Sequence, residues 1–432
     1  MTNNRKNFIQ TLFINLQVED YILLKFIENS THEIDDSSDL DIWWNDRGQD
    51  FILEFATAHP DVQKVTNHSQ SFMNQLFIFF KDGGFLQIDC LYQLRRKDLI
   101  YLPNAYLKSQ QIEKNGIKTY TDFCLFEHLV LFNQLNFAGV PLKYLTYFQT
   151  LPIQSLRSII LQFNKKYQTT ILDLTMLSGF QLTVEKNLKS YLRHLNENQF
   201  FKRQVSKINY FLDSINNLKN QRGFLVSFSG VDGAGKSTIL EETRILLTKK
   251  FRKKTVVIRH RPSIFPILSS FIYGKKQAES RSASRLPRTG NNSSTLNSLL
   301  RFCYYFADYI FGRSYIFFKY QLRNYIVLYD RYYFDFIIDP KRTNITLNQK
   351  LSKSLYLFVQ KPKINFFLYA PPEIILERKQ ELAPQTIRKL TQGYQLLFTA
   401  FDKKYTQGYH SIENIEKDKT LNFISSQLVQ AM

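Results

Sequence analysis

FLVSFSGVDGAGKST, residues 224–238, decides how the chain is read. FLVSFSG (224–230) is a short apolar run with strand character, and STILEETRILLTKK (237–250) has helical spacing. Between them Gly230-Val-Asp-Gly-Ala-Gly235-Lys236-Ser237 matches GxxxxGK[ST], in the strand-loop-helix context that its mechanism needs. Glycines let the backbone curl so that several N–H groups point inward at phosphate oxygens, and the helix adds its positive N-terminal end. Lys236 is spaced to reach β- and γ-phosphates, and the Ser237 hydroxyl to ligate Mg²⁺. The candidate nucleotide-binding set is therefore Gly230, Asp232, Gly233, Ala234, Gly235, Lys236, Ser237 and Thr238.

Outward from this loop, TVVIRH (255–260), YIVLYD (325–330) and INFFLYA (364–370) are further short apolar runs separated by helix-length segments. Strands alternating with helices predict an α/β unit over 221–432, a parallel sheet flanked by helices. GKKQAESRSASRLPRTGNNSSTLN (274–297) fits neither element and reads as a mobile basic loop, with a substrate-closing flap as the alternative.

Phe228-Ser-Gly-Val-Asp-Gly-Ala-Gly-Lys-Ser-Thr238 closely resembles the first motif of thymidylate kinases. Three further segments follow in that family's order. Arg259-His-Arg261-Pro262 resembles its Arg-Glu-Pro segment, Asp330-Arg331-Tyr332 its Asp-Arg-Tyr motif, and Pro372-Glu373-Ile-Ile-Leu-Glu-Arg378-Lys379 the helix leading to its lid. The resemblance spans 221–432 and implies a P-loop kinase fold with ATP and Mg²⁺ as cofactors. It implies that Asp330 holds Mg²⁺ through water, that Arg331 bridges donor and acceptor phosphates, and that Asp232 contacts a substrate sugar hydroxyl. Gly233 stands where some relatives carry arginine, so the resemblance looks to the lid for the catalytic cation. Arg378, Lys379, Arg388 and Lys389 are the candidates, with Arg378 placed in the catalytic set beside Lys236, Asp330 and Arg331.

The departures fall on the acceptor side. Family members follow Asp-Arg-Tyr with a serine and Ala-Tyr-Gln; here the stretch is Tyr333-Phe334-Asp335-Phe336-Ile337-Ile338-Asp339-Pro340. In Phe306-Ala307-Asp308-Tyr309 a tyrosine replaces the family's arginine. A pocket that hydrogen-bonds a base loses much of its selectivity without those partners. Asp335 and Asp339, four apart, are expected on one helical face, as acceptor ligands, a general base or helix N-terminal charges.

Residues 1–120 have a different texture. EDYILLKFIE (19–28) reads as an amphipathic helix, SDLDIWW (38–44) as a strand, and QLFIFFKDGGFLQIDCLY (75–92) as a hairpin turning at Asp82-Gly83-Gly84. Asp39 and Asp41 at i and i+2, with Asp89 in another strand, make a candidate two-Mg²⁺ site. This arrangement resembles polymerase-beta-like nucleotidyltransferases and implies an N-terminal α+β domain of that type. Those enzymes place a Gly-Ser pair ahead of Asp-x-Asp, whereas the approach here, Asn29 to Ser38, holds no glycine, which leaves the domain's activity open. From 121 to 220, FCLFEHLVLFNQL, LRSIILQFNKKY and VSKINYFLDSINNL show three-to-four spacing and read as a helical connector.

Charge follows the same division. Residues 1–220 hold 23 basic and 22 acidic side chains, and residues 221–432 hold 34 and 15. A basic half attracts anions such as nucleotides, nucleic acid or phosphorylated substrates. The chain's 38 Phe and 25 Tyr supply apolar material for two or three cores and exclude a disordered, collagen-like or disulfide-stapled protein. Cys90, Cys124 and Cys303 form no CxxC, no apolar run reaches membrane-spanning length, and MTNNRKNFIQ lacks a signal-peptide core, so the expected compartment is the cytoplasm. The sequence thus predicts a phosphotransferase acting on a nucleoside monophosphate-like acceptor. A sugar or glycan-precursor kinase, a nucleic-acid end-processing protein and an ATP-driven switch stand as alternatives.

Overall fold

Runs rich in aromatic and β-branched residues form the strands of two separate five-stranded sheets. The computed structural model describes residues 3–35, 38–44, 48–265, 295–345, 348–405 and 408–432. The chain divides into two compact units, Met1–Ile215 and Asn216–Met432.

In the first unit, α1 (Asn3–Leu16) leads into β1 (Tyr21–Leu24), β2 (Leu40–Trp44), α2 (Gly48–Ala58), β3 (Val62–Ser69), β4 (Met73–Phe80) and β5 (Phe85–Leu91). The sheet order is β1-β2-β5-β4-β3, with β2 and β5 parallel and the remaining pairs antiparallel. The hairpin expected over 75–92 is present as β4 and β5, with Gly83 at φ +80° in its turn. The helix expected over 19–28 is instead the strand β1. Its four core residues alternate between two cores, Tyr21 and Leu23 facing one and Ile22 and Leu24 the other. A strand buried on both faces has no polar side, so its sequence shows no period of two.

Two short hairpins follow, β6 (Leu94–Arg96) with β7 (Leu99–Leu102), then, after α3 (Asn104–Ser109), β8 (Gln111–Lys114) with β9 (Ile117–Tyr120). Helices α4 (Asp122–Leu135), α5 (Leu142–Thr150), α6 (Ile153–Tyr167), α7 (Leu182–Arg193) and α8 (Phe200–Asn220) account for the three-to-four spacing. Leu125, Leu129, Phe163 and Leu188 from these helices share one core with Ile22, Leu24 and Trp43 of the sheet. The stretch read as a connector therefore belongs to the first unit through a common core and is not a body of its own.

The second unit carries β10 (Leu225–Gly230), α9 (Lys236–Ile245), β11 (Lys254–Arg259), α10 (Thr295–Lys319), β12 (Tyr325–Asp330), α11 (Phe334–Ile338), α12 (Gln349–Leu355), β13 (Ile364–Tyr369), α13 (Pro372–Arg378), α14 (Pro384–Tyr405), β14 (Tyr409–Glu413) and α15 (Lys417–Ala431). All five strands are parallel in the order β11-β12-β10-β13-β14, a helix-flanked parallel sheet consistent with a P-loop kinase-like fold. Its core is strongly aromatic. Tyr309, Tyr329, Tyr332, Tyr333, Phe334 and Tyr356 are all buried there; Tyr333 donates to the Ser352 carbonyl at 3.0 Å, and Tyr356 and Tyr409 share a bond of 2.8 Å. Of the basic segment 274–297, residues up to 294 lie outside the described residues, and Thr295 begins α10. Among the described residues, no helix is long and apolar enough to cross a membrane.

Candidate functional site

In a parallel sheet the carboxyl ends of all strands open on one edge, and ligands bind in the crevice where the chain switches direction. Here β10 is the central strand, and Gly230 to Lys236 leaves it at that edge. Gly233 and Gly235 hold φ of +88° and +79°, conformations that L side chains rarely adopt. A Cβ on Gly233 would lie 3.0 Å from Ile375 of α13, and one on Gly235 would lie 2.5 Å from the Asn414 amide nitrogen. That amide donates to the Ala234 carbonyl at 2.8 Å, clamping the loop from the residue that follows β14. Ser237 and Thr238 occupy the first turn of α9, where backbone N–H groups have no helical partners.

Asp330 ends β12, next to β10 in the sheet, and its carboxylate forms an ion pair with Lys236. Burial opposes the Asp330 charge, but the Lys236 ammonium outweighs it and holds the carboxyl below its usual range. Burial and then Arg331 pull the Lys236 ammonium below the ordinary lysine value, against the attraction of Asp330. The ion pair gives each charge an opposite partner within the crevice.

Arg331, with φ +72°, turns its guanidinium under the loop. It donates to the Gly230 carbonyl at 3.0 Å, to Asp335 at 3.1 Å and to Asp232 at 2.5 Å. Burial penalises this charge, yet Asp335 and Asp232 outweigh it and raise its pKa above the arginine norm. Asp232 receives a second cation, Arg342, from the turn after α11. Against the cost of its burial, Arg331 and then Arg342 keep the Asp232 carboxylate ionised. Asp335 accepts from the Tyr394 hydroxyl at 2.7 Å as well as from Arg331. Its two oxygens are thus both engaged, one by the Arg331 guanidinium and one by the Tyr394 hydroxyl. Asp339 follows α11 and is buried, its N–H donating to the Asp335 carbonyl at 2.9 Å.

Beyond β11, His260 takes φ +60°, donates its N–H to the Asp330 carbonyl at 2.9 Å and accepts at its own carbonyl from the Tyr309 hydroxyl. His260 as a whole is exposed. Desolvation by the surrounding protein outweighs the pull of Asp335 and lowers its pKa to about 4, so it is neutral at pH 7. Asp308 is fully buried. It pairs with Arg261 at 2.6 Å and accepts backbone N–H groups from Ser263, Ile264 and Phe265 at 2.8–3.0 Å, so Phe306-Ala307-Asp308-Tyr309 shapes the segment after β11.

Of the four lid cations, Arg378 comes up to the loop: its guanidinium lies 3.5 Å from where a Gly235 Cβ would sit. Lys379 lays its stem near Gly233 and sends its ammonium to Glu381 at 2.9 Å. Arg388 is exposed and faces Glu373 at 3.5 Å, and Lys389 is exposed. Arg342, Tyr394 and Asn414 carry no motif. Their partners lie 110, 59 and 180 residues away, so no local pattern in the sequence marks them.

The first unit departs from the two-metal expectation. Asp41 and Asp89 are direct neighbours in the β2–β5 register, whereas Asp39 lies ahead of the strand. The Lys25 ammonium is ion-paired with Asp41. Burial, and then Asp41, raises the Asp89 carboxyl to about 6, despite hydrogen bonds from Gln87 at 2.9 Å and Gln75 at 3.3 Å. Among the described residues, no group of three His, Cys, Asp or Glu side chains is arranged to hold a metal ion. Asp39, Asp41 and Asp89 therefore do not assemble into the expected metal cluster.

No protein-family model matches the chain, and no curated protein matches it. Among solved structures it is similar to thymidylate kinase from Ehrlichia chaffeensis, with 17% identity over 49% of this chain and 98% of that one, at a TM-score of 0.30. It is also similar to thymidylate kinase from Candida albicans, with 19% identity over 49% of this chain and 91% of that one, at a TM-score of 0.31.

Proposed function

We propose that the second unit is an ATP- and Mg²⁺-dependent phosphotransferase that moves the γ-phosphoryl group to an oxygen of a nucleoside monophosphate-like acceptor, releasing ADP. The observation that carries this reading is the loop at the carboxyl end of the central strand, with Lys236 held by Asp330 and Arg331 anchored beneath it. Phosphoryl transfer is largely positioning and charge neutralisation, and these side chains suit both tasks. Lys236 leaves Asp330 for the β- and γ-phosphates when nucleotide enters. Arg331 faces the donor and acceptor phosphates from below, and Arg378 neutralises charge from the lid side. Ser237 and Asp330, a hydroxyl and a carboxylate, are hard oxygen donors suited to Mg²⁺ that keeps several waters. The bound ion would neutralise phosphate charge.

The acceptor is not read as a thymidine nucleotide. Tyr333, Phe334 and Asp335, in the place of the base-reading residues, are buried in the core or committed to Arg331, which leaves them no role in base recognition. That observation keeps a sugar-type acceptor as the second reading. The test is γ-phosphate transfer to dTMP, the other nucleoside monophosphates, simple sugars and phosphosugars, with Lys236→Ala as the blank. Transfer to a monophosphate other than dTMP is the expected result, and transfer only to a sugar establishes the second reading. Saturable dTMP phosphorylation at micromolar concentration overturns the reading of the pocket, and no transfer to any acceptor overturns the kinase assignment.

A further inference from the structure

A divalent ion between two carboxylates needs their lone pairs and repels nearby N–H donors and cations. The N-terminal sheet supplies the opposite environment, and unlike Asp330, which pairs with a lysine alone, its two acids meet both an ammonium and amide N–H donors. Leu24 opposes Asp41, Asp41 opposes Asp89 and Asp89 opposes Gln75 in consecutive registers, so Asp41, Asp89 and Gln75 line up across one face of the sheet. One end of this row is capped by the Lys25 ammonium on Asp41. At the other, the Gln87 and Gln75 amides both donate to the same Asp89 oxygen.

Lys25 is held in place by the core. Directly after β1 it adopts φ +56°, a left-handed conformation ordinarily left to glycine. Its N–H donates to the Tyr120 hydroxyl oxygen at 2.7 Å. The Tyr120 hydroxyl pairs with His128 Nδ1 at 2.9 Å, and His128 Nε2 pairs with the Tyr101 hydroxyl at 3.2 Å. All three rings are buried, and a neutral His128 protonated at Nε2 satisfies the whole chain of bonds. A fully satisfied buried network fixes its members, so the backbone that aims Lys25 is set from within the core. The ammonium also lies 5.4 Å from the centre of the Phe132 ring.

We propose that Lys25 is the resident cation of the N-terminal unit, its ammonium paired with Asp41 so that the Asp41–Asp89 pair does not take a divalent ion. The disagreement with the two-metal expectation is then a built property of the site, and it stands independently of the kinase reading.

The chain's only tryptophans, Trp43 and Trp44, sit beside Asp41 on β2, with Trp43 on the same face. Tryptophan emission of the full chain, titrated with Mn²⁺ alone and without nucleotide, therefore reports this site. The wild type is expected to show no saturable quench. Lys25→Met is expected to gain a saturable quench, because an opposing charge has been removed, and adding Asp41→Asn should abolish it. A wild-type saturable quench that Asp41→Asn removes overturns the proposal. So does a folded Lys25→Met protein that gains nothing. Should Lys25→Met fail to fold, the wild-type and Asp41→Asn titrations decide the matter: an Asp41-dependent quench overturns the proposal, and its absence supports it.

Discussion

Asp89 shows how a single residue fixes a pH dependence. Burial and the neighbouring Asp41 raise its carboxyl from the ordinary 3.8 to about 6 in the folded chain. A raised folded pKa means that the folded state binds the proton more tightly than the unfolded one. Its favourable contribution is complete below about 4 and is lost as pH rises through 6, leaving an ionised, partly buried carboxylate at neutral pH. Asp89→Asn keeps acceptor capacity for Gln87 and Gln75 without that charge. The variant should melt higher than wild type at pH 7.5, by up to about 2–3 kcal/mol, with little difference at pH 4. Melting curves across this range check it, and an equal offset at both pH values contradicts it. Lys236 and Asp330 illustrate another residue-scale point, since each supplies the opposite charge that the other's burial requires.

At the scale of elements, the loop is shaped by what packs against it as well as by its glycines. The strand β14 delivers Asn414, whose amide donates to the Ala234 carbonyl and whose own N–H donates to the Tyr369 carbonyl at 2.7 Å. Asn414→Ala removes the first bond and leaves a buried carbonyl unsatisfied, costing about 1–2 kcal/mol. We expect a lower melting temperature for the second unit together with weaker ATP binding, measured by titration calorimetry. Unchanged ATP affinity would show that the clamp supports the fold without shaping the loop. The elements also differ in how far they can be read from sequence. β10, β11, β12 and β13 stand out as apolar runs. β1 does not, because burial on both faces erases its alternation, and its first and last residues look equally compatible with a helix turn.

At the scale of the whole molecule, the two units have separate hydrophobic cores. A ligand stabilises the folded state that holds it, by about 2.7 kcal/mol at a hundredfold excess over Kd. Calorimetry of the full chain should resolve two transitions, with Mg²⁺ and ATP raising one of them and Lys236→Ala removing that shift. A shift of both transitions by equal amounts contradicts the assignment of nucleotide to the second unit.

Sequence by itself determined the strand-loop-helix order around Lys236, because the backbone curl of that loop is encoded within eight consecutive residues. It also determined the parallel sheet, since alternating strands and helices leave few other ways to bury their faces. Tertiary structure alone decided which charges meet. Arg342 and Asp232, separated by 110 residues, come together through the ordering of strands. Asp335 became a support for Arg331 once Tyr394 closed over it. Lys25 became the partner of Asp41 because β1 pairs with β2 and a buried tyrosine-histidine chain fixes the residue after it. Local spacing encodes backbone geometry. The electrostatic partner of a side chain is set by distance through space, which exists only after the strands have taken their order.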